Sequence, residues 1–369
     1  MKLTNDQQKA LKAANRWWET DDSPTFVIAG AAGTGKTTLI NIIIEEIGIS
    51  NMRVAFAAYT GKAATVMAQK GMRATTIHRL IYWTKFDNGH YIHKLKSRGE
   101  IDAELIVIDE ISMVPRKMMD QILSFGIPVI GVGDDNQLPP VKGGSQDLLR
   151  RPDAYLDEIT RQAKESPIIR LSQDIIHGNQ ISYENEPGLT FVNSMPMGML
   201  ARHDQVICGY NKTRARINSM FKTGIPGVPD PGDKLICVQN KWTETIKDDD
   251  GNDCDLVNGL TGTVSNVSGM GAMIGFQPMH IETESFENLI LDHHTLRNSA
   301  SPKADKNMHK AFFNYGYCIT CHKSQGSEFD SVFLVPEAIG NTPLDRRRWL
   351  YTAITRASKQ LTIFTEKGR

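Results

Sequence analysis

The sequence predicts an α/β protein with two parallel sheets, and three observations carry that prediction. The octapeptide Gly30-Ala31-Ala32-Gly33-Thr34-Gly35-Lys36-Thr37 stands between an apolar β-rich run and a helix-forming run. Short apolar runs alternate with helix-like stretches from residue 24 to residue 150. A second alternation starts near residue 151, is interrupted by a glycine-rich stretch at 259–311, and resumes at Tyr317. Such alternation is the pattern of a parallel sheet covered by helices.

Residues 26–29 read as a buried strand and 38–46 as a helix. Glycines between them let backbone N–H groups close around phosphate oxygens, and the helix N-terminus adds a positive dipole end. Lys36 is placed to reach β- and γ-phosphates and Thr37 to hold Mg²⁺. Further strands are expected at 53–58, 105–109 and 128–132, each ending at a polar or glycine turn. Ligands bind at such ends in open α/β sheets.

Residues 82–102 break the rhythm. Asn88-Gly89 flanked by aromatic residues predicts a β-hairpin inserted into the first domain. Beyond residue 150 a strand is expected at 205–209 and a helix at 212–221. Asp248-Asp249-Asp250-Gly251-Asn252-Asp253 reads as an exposed charged turn. Residues 259–311 read as a small β-rich insertion. Cys318 and Cys321 form a C-x-x-C spacing inside the apolar run 315–321. With no second pair to complete a zinc site, a single buried strand is the expected reading. The domains expected are 1–150, then 151–258 with 312–369, with 259–311 inserted.

Lysine plus arginine and aspartate plus glutamate balance at 42 and 42, so no global field draws the chain to a polyanion or a membrane. Five scattered cysteines fit a reducing compartment. No charged-then-apolar leader and no bilayer-length apolar run is present, so a cytoplasmic protein without a membrane partner is expected.

Leu105-Ile106-Val107-Ile108-Asp109-Glu110 is an apolar strand ending in two carboxylates. Asp109 suits Mg²⁺ binding through water, and Glu110 suits orienting or deprotonating an attacking water. The plain reading is a helix cap, but a phosphate loop in the same chain favours the chemistry. Gln137, in Gly133-Asp134-Asp135-Asn136-Gln137-Leu138-Pro139-Pro140, is placed to sense a γ-phosphate; turn chemistry alone also explains it. Arg161 and Arg356 are candidate cations for the developing charge, although either alone reads as a surface ion-pair partner. Trp83, Phe86, Tyr91 and Trp349 are available for base stacking, against ordinary packing as the alternative.

The ordered set of motifs resembles superfamily 1 DNA helicases of the RecD-like and phage Dda-like subgroup, over nearly the whole chain. Leu3-Thr4-Asn5-Asp6-Gln7 is similar to the Q motif, and the octapeptide to motif I. Ala58-Tyr59-Thr60-Gly61-Lys62-Ala63-Ala64 resembles motif Ia, with Tyr59 where a proline is frequent, and Thr75-Thr76-Ile77-His78-Arg79-Leu80 the segment after it. Asp109-Glu110 matches motif II, 133–141 motif III, and Thr160-Arg161-Gln162 motif IV. Thr320-Cys321-His322-Lys323-Ser324-Gln325-Gly326-Ser327-Glu328-Phe329 matches motif V, and Tyr351-Thr352-Ala353-Ile354-Thr355-Arg356-Ala357 motif VI.

The resemblance implies two RecA-like P-loop NTPase domains, the first with a strand-separating pin at 82–102 and the second with an SH3-like insertion entered at Val257-Asn258-Gly259-Leu260-Thr261-Gly262. It implies ATP and Mg²⁺ as ligands. Gly30, Gly33, Thr34, Gly35, Lys36, Thr37, Thr38, Gly326 and Glu328 would hold nucleotide and Gln7 read adenine. Thr37 and Asp109 would hold the metal, and Lys36, Glu110, Gln137, Arg161 and Arg356 would act in hydrolysis, with both arginines coming from the second domain. Thr60, Lys62, Thr76, His78, Trp83, Phe86, Thr320 and His322 would face single-stranded DNA. The implied activity is 5′→3′ translocation and unwinding by a monomer at single-strand/duplex junctions, alongside single-stranded-DNA-binding or replication proteins. An ATP-switched assembly factor that binds single strands without separating them is the alternative. A metabolite kinase fits the phosphate loop but not motif VI. The short stretch after Arg356 predicts no large nuclease or partner-binding domain.

Overall fold

In the computed structural model, residues 3–20, 22–69, 71–87, 90–139, 146–222, 224–249, 251, 253–279, 281–299 and 309–366 are described. Six parallel strands form the first sheet, in the order Ala74–Thr76, Val54–Ala58, Leu105–Asp109, Val129–Gly133, Thr25–Gly30 and Ala154–Leu156. Successive residues bury on opposite faces. Phe26, Ile28, Phe56, Leu105 and Val107 pack on one side. Val27, Ala29, Ala57, Ile106 and Ile108 pack on the other. A period of two with both faces covered explains why these strands read as continuous apolar runs.

The second sheet has five parallel strands, in the order Cys318–Thr320, Gln205–Cys208, Phe329–Leu334, Ala357–Phe364 and Leu189–Val192. Helices Pro167–His177 and Pro343–Ile354 cover one face through Ile168, Leu171, Ile175, Trp349 and Ala353. Trp349 is therefore core and not a stacking platform, since only 1% of it is exposed.

Three sequence boundaries move. Ala154–Leu156 pairs with Thr25–Gly30, so the first lobe continues past residue 150. The mainly antiparallel third sheet runs from Lys234–Cys237 to Phe313–Tyr315, wider than 259–311, because those two strands pair with each other. The run 315–321 is also not one strand. Phe313–Tyr315 belongs to the third sheet and Cys318–Thr320 to the second. At Gly316 a Cβ would lie 2.9 Å from the Leu235 carbonyl carbon, so only glycine lets the chain cross there. Cys318 and Cys321 stay buried, as expected of packing cysteines.

The expected hairpin is present as Tyr82–Asp87 paired with His90–Leu95; its Asn88-Gly89 turn lies outside the described residues. Asp250 and Asn252 of the charged turn, and Pro140 and Val141 of the 133–141 motif, also lie outside them. A ribbon of Lys241–Lys247 and Asp253–Leu256 projects beside the hairpin. Among the described residues no helix is long and apolar enough to cross a membrane.

Candidate functional site

The phosphate loop leaves the first sheet at Gly30 and enters helix Lys36–Glu46. Gly33 and Gly35 take left-handed backbone, φ 81° and 76°, which curls the loop. Lys36 Nζ donates to the Gly30 and Ala31 carbonyls at 2.7 and 2.8 Å, so the ammonium sits inside the curl. The Thr34 hydroxyl closes it by donating to the Ala31 carbonyl at 2.9 Å. Thr37 is half-buried and Thr38 exposed on the first helical turn.

Gln7 departs from its expected role. Its Nε2 donates to the Thr34 carbonyl at 3.0 Å and its Oε1 accepts from the Thr4 N–H at 3.0 Å. Only 1% of the residue is exposed, so it braces the loop and offers no free edge to a base. From the other side, the Thr160 N–H donates to the Gly33 carbonyl at 3.0 Å.

Asp109 ends its strand and accepts from the Glu110 N–H at 2.9 Å. Glu110 has φ 51°, a left-handed conformation that costs energy outside glycine. Burial pushes its carboxyl up to about 7; the Asp109 charge adds to this, and Arg356 and Lys36 oppose it. A carboxylate poised near neutrality suits a general base. Asp134 is buried, and burial raises its carboxyl as well. Gln137 is half-buried on the turn that follows, its N–H on the Asp134 carbonyl at 3.4 Å.

The second lobe closes over this edge. The Tyr351 hydroxyl lies 2.7 Å from Asp134 Oδ2 and 2.7 Å from Ala32 N. The Leu138 N–H donates to Thr352 Oγ1, and Gln325 Nε2 donates to the Leu138 carbonyl, both at 2.8 Å. Arg356 is buried, not a surface ion-pair partner. Its Nε donates to the Thr352 carbonyl and its Nη1 to the Ser327 carbonyl, each at 3.0 Å, and its charge reaches Glu110. Gly326 has φ 68°, and a Cβ there would lie 3.0 Å from Ala63 Cβ. Glu328 is exposed. Arg161 is exposed at the start of the short helix Arg161–Lys164, in the link between the sheets and not within the second lobe as expected. The Gln162 side chain lies outside the description.

Thr60, Thr76 and Thr320 all lie at the carboxyl ends of parallel strands. Thr60 Oγ1 accepts from the Ala63 N–H and Thr76 Oγ1 from the Arg79 N–H, both at 3.2 Å, as helix caps. Lys62 does not face an open groove. It is 3% exposed, its Nζ 3.3 Å from Thr261 Oγ1 and 4.0 Å from the centre of the Phe329 ring. Burial, then the Arg356 charge, lowers its ammonium to about 7. His322 is half-buried and burial lowers its imidazole.

His78 packs among rings, with centroids 5.7 Å from Tyr82, 6.1 Å from His93 and 5.8 Å from Trp242. Burial, then His93, keeps it towards the neutral form. Trp83 is exposed, but Lys96 Nζ lies 4.7 Å above its ring and its Nε1 donates to Glu100 at 3.1 Å. The Phe86 side chain lies outside the description. Tyr91 packs on the ribbon, its hydroxyl 3.4 Å from Thr243 Oγ1. Sequence reading missed Trp242, Tyr351 and the Arg79 ion pairs to Asp253 and to Asp255, the latter at 2.7 Å. Motif VI held a signal for Tyr351; nothing local marked Trp242.

A family model described as an AAA domain matches residues 2–193, and one described as a UvrD-like helicase C-terminal domain matches 315–364. The chain is 25% identical over 366 residues to the ATP-dependent RecD2 DNA helicase of Deinococcus radiodurans, covering 90% of this chain and 45% of that protein. It is 31% identical over 164 residues to the ATP-dependent DNA helicase dda of Enterobacteria phage T4, covering 41% of this chain and 37% of that protein. The chain thus spans less than half the length of either curated relative. Among solved structures it resembles Bacteroides Pif1 bound to single-stranded DNA, with a TM-score of 0.57, 20% identity, and coverage of 99% of this chain and 92% of that one. A structure of two coordinating Pif1 helicases at forked duplex DNA gives a TM-score of 0.58 at 21% identity, covering 99% of this chain and 92% of that one. These likenesses establish the two-lobed fold.

Proposed function

The chain belongs to the AAA-domain family, grouping with the superfamily 1 RecD-, Dda- and Pif1-like proteins, and from that membership we propose that it is an ATP-dependent helicase. It translocates 5′→3′ on single-stranded DNA and unwinds duplex. One observation carries the reading. The first lobe's phosphate loop, acidic pair and 134–138 turn meet, in that order, Tyr351, Arg356 and Gln325 of the second lobe at the ends of the first sheet's strands. A triphosphate seated there touches both lobes, so its cleavage changes how they fit.

Lys36 exchanges the Gly30 and Ala31 carbonyls for phosphate oxygens. Glu110 takes the proton of the attacking water, Gln137 orients that water, and Arg356 leaves its carbonyl partners to meet the developing charge. Among the described residues no cluster of three or more His, Cys, Asp or Glu side chains forms a metal site. The residues nevertheless fit Mg²⁺, because Asp109 and Asp134 repel the Glu110 charge and a divalent cation relieves that repulsion. Thr37 and Asp109 would hold it, and substrate phosphates would complete the shell. When bound it would neutralise phosphate charge. Thr60, Thr76, Thr320 and His322 line the path of the strand, and the hairpin Tyr82–Leu95 is read as the pin that divides duplex.

Strand displacement on forked DNA tests this reading. Release of the displaced strand with ATP from a fork with a 5′ tail, and not from one with a 3′ tail, is the expected result. ATP turnover stimulated by single strands without displacement would replace the motor with the assembly factor.

A further inference from the structure

Helix Pro343–Ile354 of the second lobe presents two adjacent side chains to the first lobe. Tyr351 is 0% exposed, with Asp134 Oδ2 and Ala32 N each 2.7 Å from its hydroxyl. The geometry fixes the direction of both bonds. A backbone N–H only donates, so the hydroxyl accepts from Ala32 and gives its single hydrogen to Asp134. Burial, then the Asp134 charge, holds the phenol proton well above its ordinary range, so this donor stays a donor at any working pH.

Thr352 Oγ1 accepts from the Leu138 N–H at 2.8 Å and donates to the Arg348 carbonyl at 2.7 Å. The second lobe therefore grips the turn 134–138 at both ends, with Gln137 between the grips. The turn's internal bonds are two, from Asn136 N–H to Asp134 Oδ1 at 2.9 Å and from Gln137 N–H to the Asp134 carbonyl at 3.4 Å. No described cation pairs directly with Tyr351, so this tie differs in kind from the charges on Lys36 and Arg356.

We propose that Tyr351 is a trans-lobe positioning residue: it ties the Ala32 N–H of the phosphate loop and the Asp134 end of the Gln137 turn to the second lobe, so that motion of that lobe resets both together. The proposal rests on the helicase reading above. It deepens that reading by naming the group through which occupancy of the nucleic-acid path reaches the phosphate site. Without the hydroxyl, the Asp134 carboxylate keeps the Asn136 N–H and the Ala32 N–H loses its acceptor. Both groups then settle by their own lobe's preferences.

The test is Y351F, which keeps the ring and removes the hydroxyl. Wild type and variant are compared in ATP turnover across ATP concentrations, with and without a single-stranded oligothymidine. Wild type is expected to be stimulated, and Y351F to lose about tenfold or more of that stimulation while its KM for ATP shifts by less than about threefold. T352V, which removes the acceptor for Leu138 N–H, should lose stimulation in the same direction to a smaller extent. Undiminished stimulation in a folded Y351F overturns the proposal and leaves the helicase reading standing. A KM that rises in step with the loss of kcat also overturns it, since the hydroxyl would then serve nucleotide binding. An unstimulated wild type overturns the helicase reading itself. Should Y351F melt below the assay temperature, T352V decides alone, and full stimulation there overturns the proposal.

Discussion

At the phosphate end of the seam between the lobes, the contacts are hydrogen bonds near 2.7 and 2.8 Å among buried groups: Tyr351 to Asp134 and Ala32, Leu138 to Thr352, Gln325 to Leu138. At the hairpin end they are ring contacts of 5.8 and 6.2 Å, Trp242 on His78 and on His93, and ion pairs from the part-exposed Arg79 to Asp253 and to the more buried Asp255. The two kinds of contact tolerate motion differently. A hydrogen bond weakens steeply with angle and distance, whereas packed rings keep most of their attraction over a broad range of offsets. The phosphate end holds one register. The hairpin end can slide while staying closed, which suits the pin role proposed for it.

The sharpest way to break the comparison is at the phosphate end. Lys36→Ala should bring ATP turnover to background while single-strand binding stays within about twofold, because the strand ends proposed to bind DNA, at Thr60, Thr76 and Thr320, are not part of the loop. Filter binding and phosphate release measure the two. Residual turnover near wild type would remove the loop from the chemistry. Arg356→Ala should retain nucleotide and lower turnover by about three orders of magnitude. Nucleotide affinity lost to the same degree would make Arg356 a binding group and not a transition-state partner.

The hairpin end should respond more softly. Trp242→Ala removes the ring shared by His78 and His93, a contact worth about 0.5–1.5 kcal/mol per aromatic pair. Unwinding of forked DNA should fall by about tenfold, with strand-stimulated ATP turnover within about twofold of wild type. Equal losses in both assays would mean that the ring packs structurally and does not steer the hairpin. Shortening the hairpin between Trp83 and His93 should act in the same direction and further.

How far the sequence revealed these two ends follows from how local their determinants are. The octapeptide, the acidic pair after 105–108 and the Asn88-Gly89 hairpin each declare themselves within ten residues, through glycine conformation, strand patterning and turn chemistry. The seam does not. Tyr351 and Asp134 are 217 residues apart, and Lys62 and Thr261 are 199 apart. No periodicity links such pairs, so Lys62 read as a groove cation and Gln7 as a base reader until packing placed both. Trp349 sits in a helix whose apolar face belongs to the second core, a face that single-sequence reading could not distinguish from an exposed aromatic. The run 315–321 failed for a third reason: both its halves are strands, and only the close approach of Gly316 to Leu235 reveals the change of sheet.

Lys62 gives the smallest effect and the one that probes the seam midway between its ends. Its ammonium is buried against Thr261 and the Phe329 ring, and among the described residues no carboxylate forms an ion pair with it. Burial, then Arg356, lowers it from 10.5 to about 7. Between those two values the unfolded chain carries a proton that the closed seam does not. The unfolded state therefore binds more protons, and stability rises with pH across that window, by at most about 1.4 kcal/mol per pH unit. Below pH 7 both states are protonated and the contribution is flat. Lys62→Met keeps an apolar stem over Phe329 and removes the titration. Melting temperatures of wild type and K62M, measured from pH 7 to 9, should differ by an amount that changes with pH, the wild type gaining relative to the variant as pH rises. Lys234 and Lys323, also lowered by burial, titrate in both proteins and cancel in the difference. Parallel curves would mean that Lys62 stays solvated and charged, and that the seam opens there more readily than its packing implies.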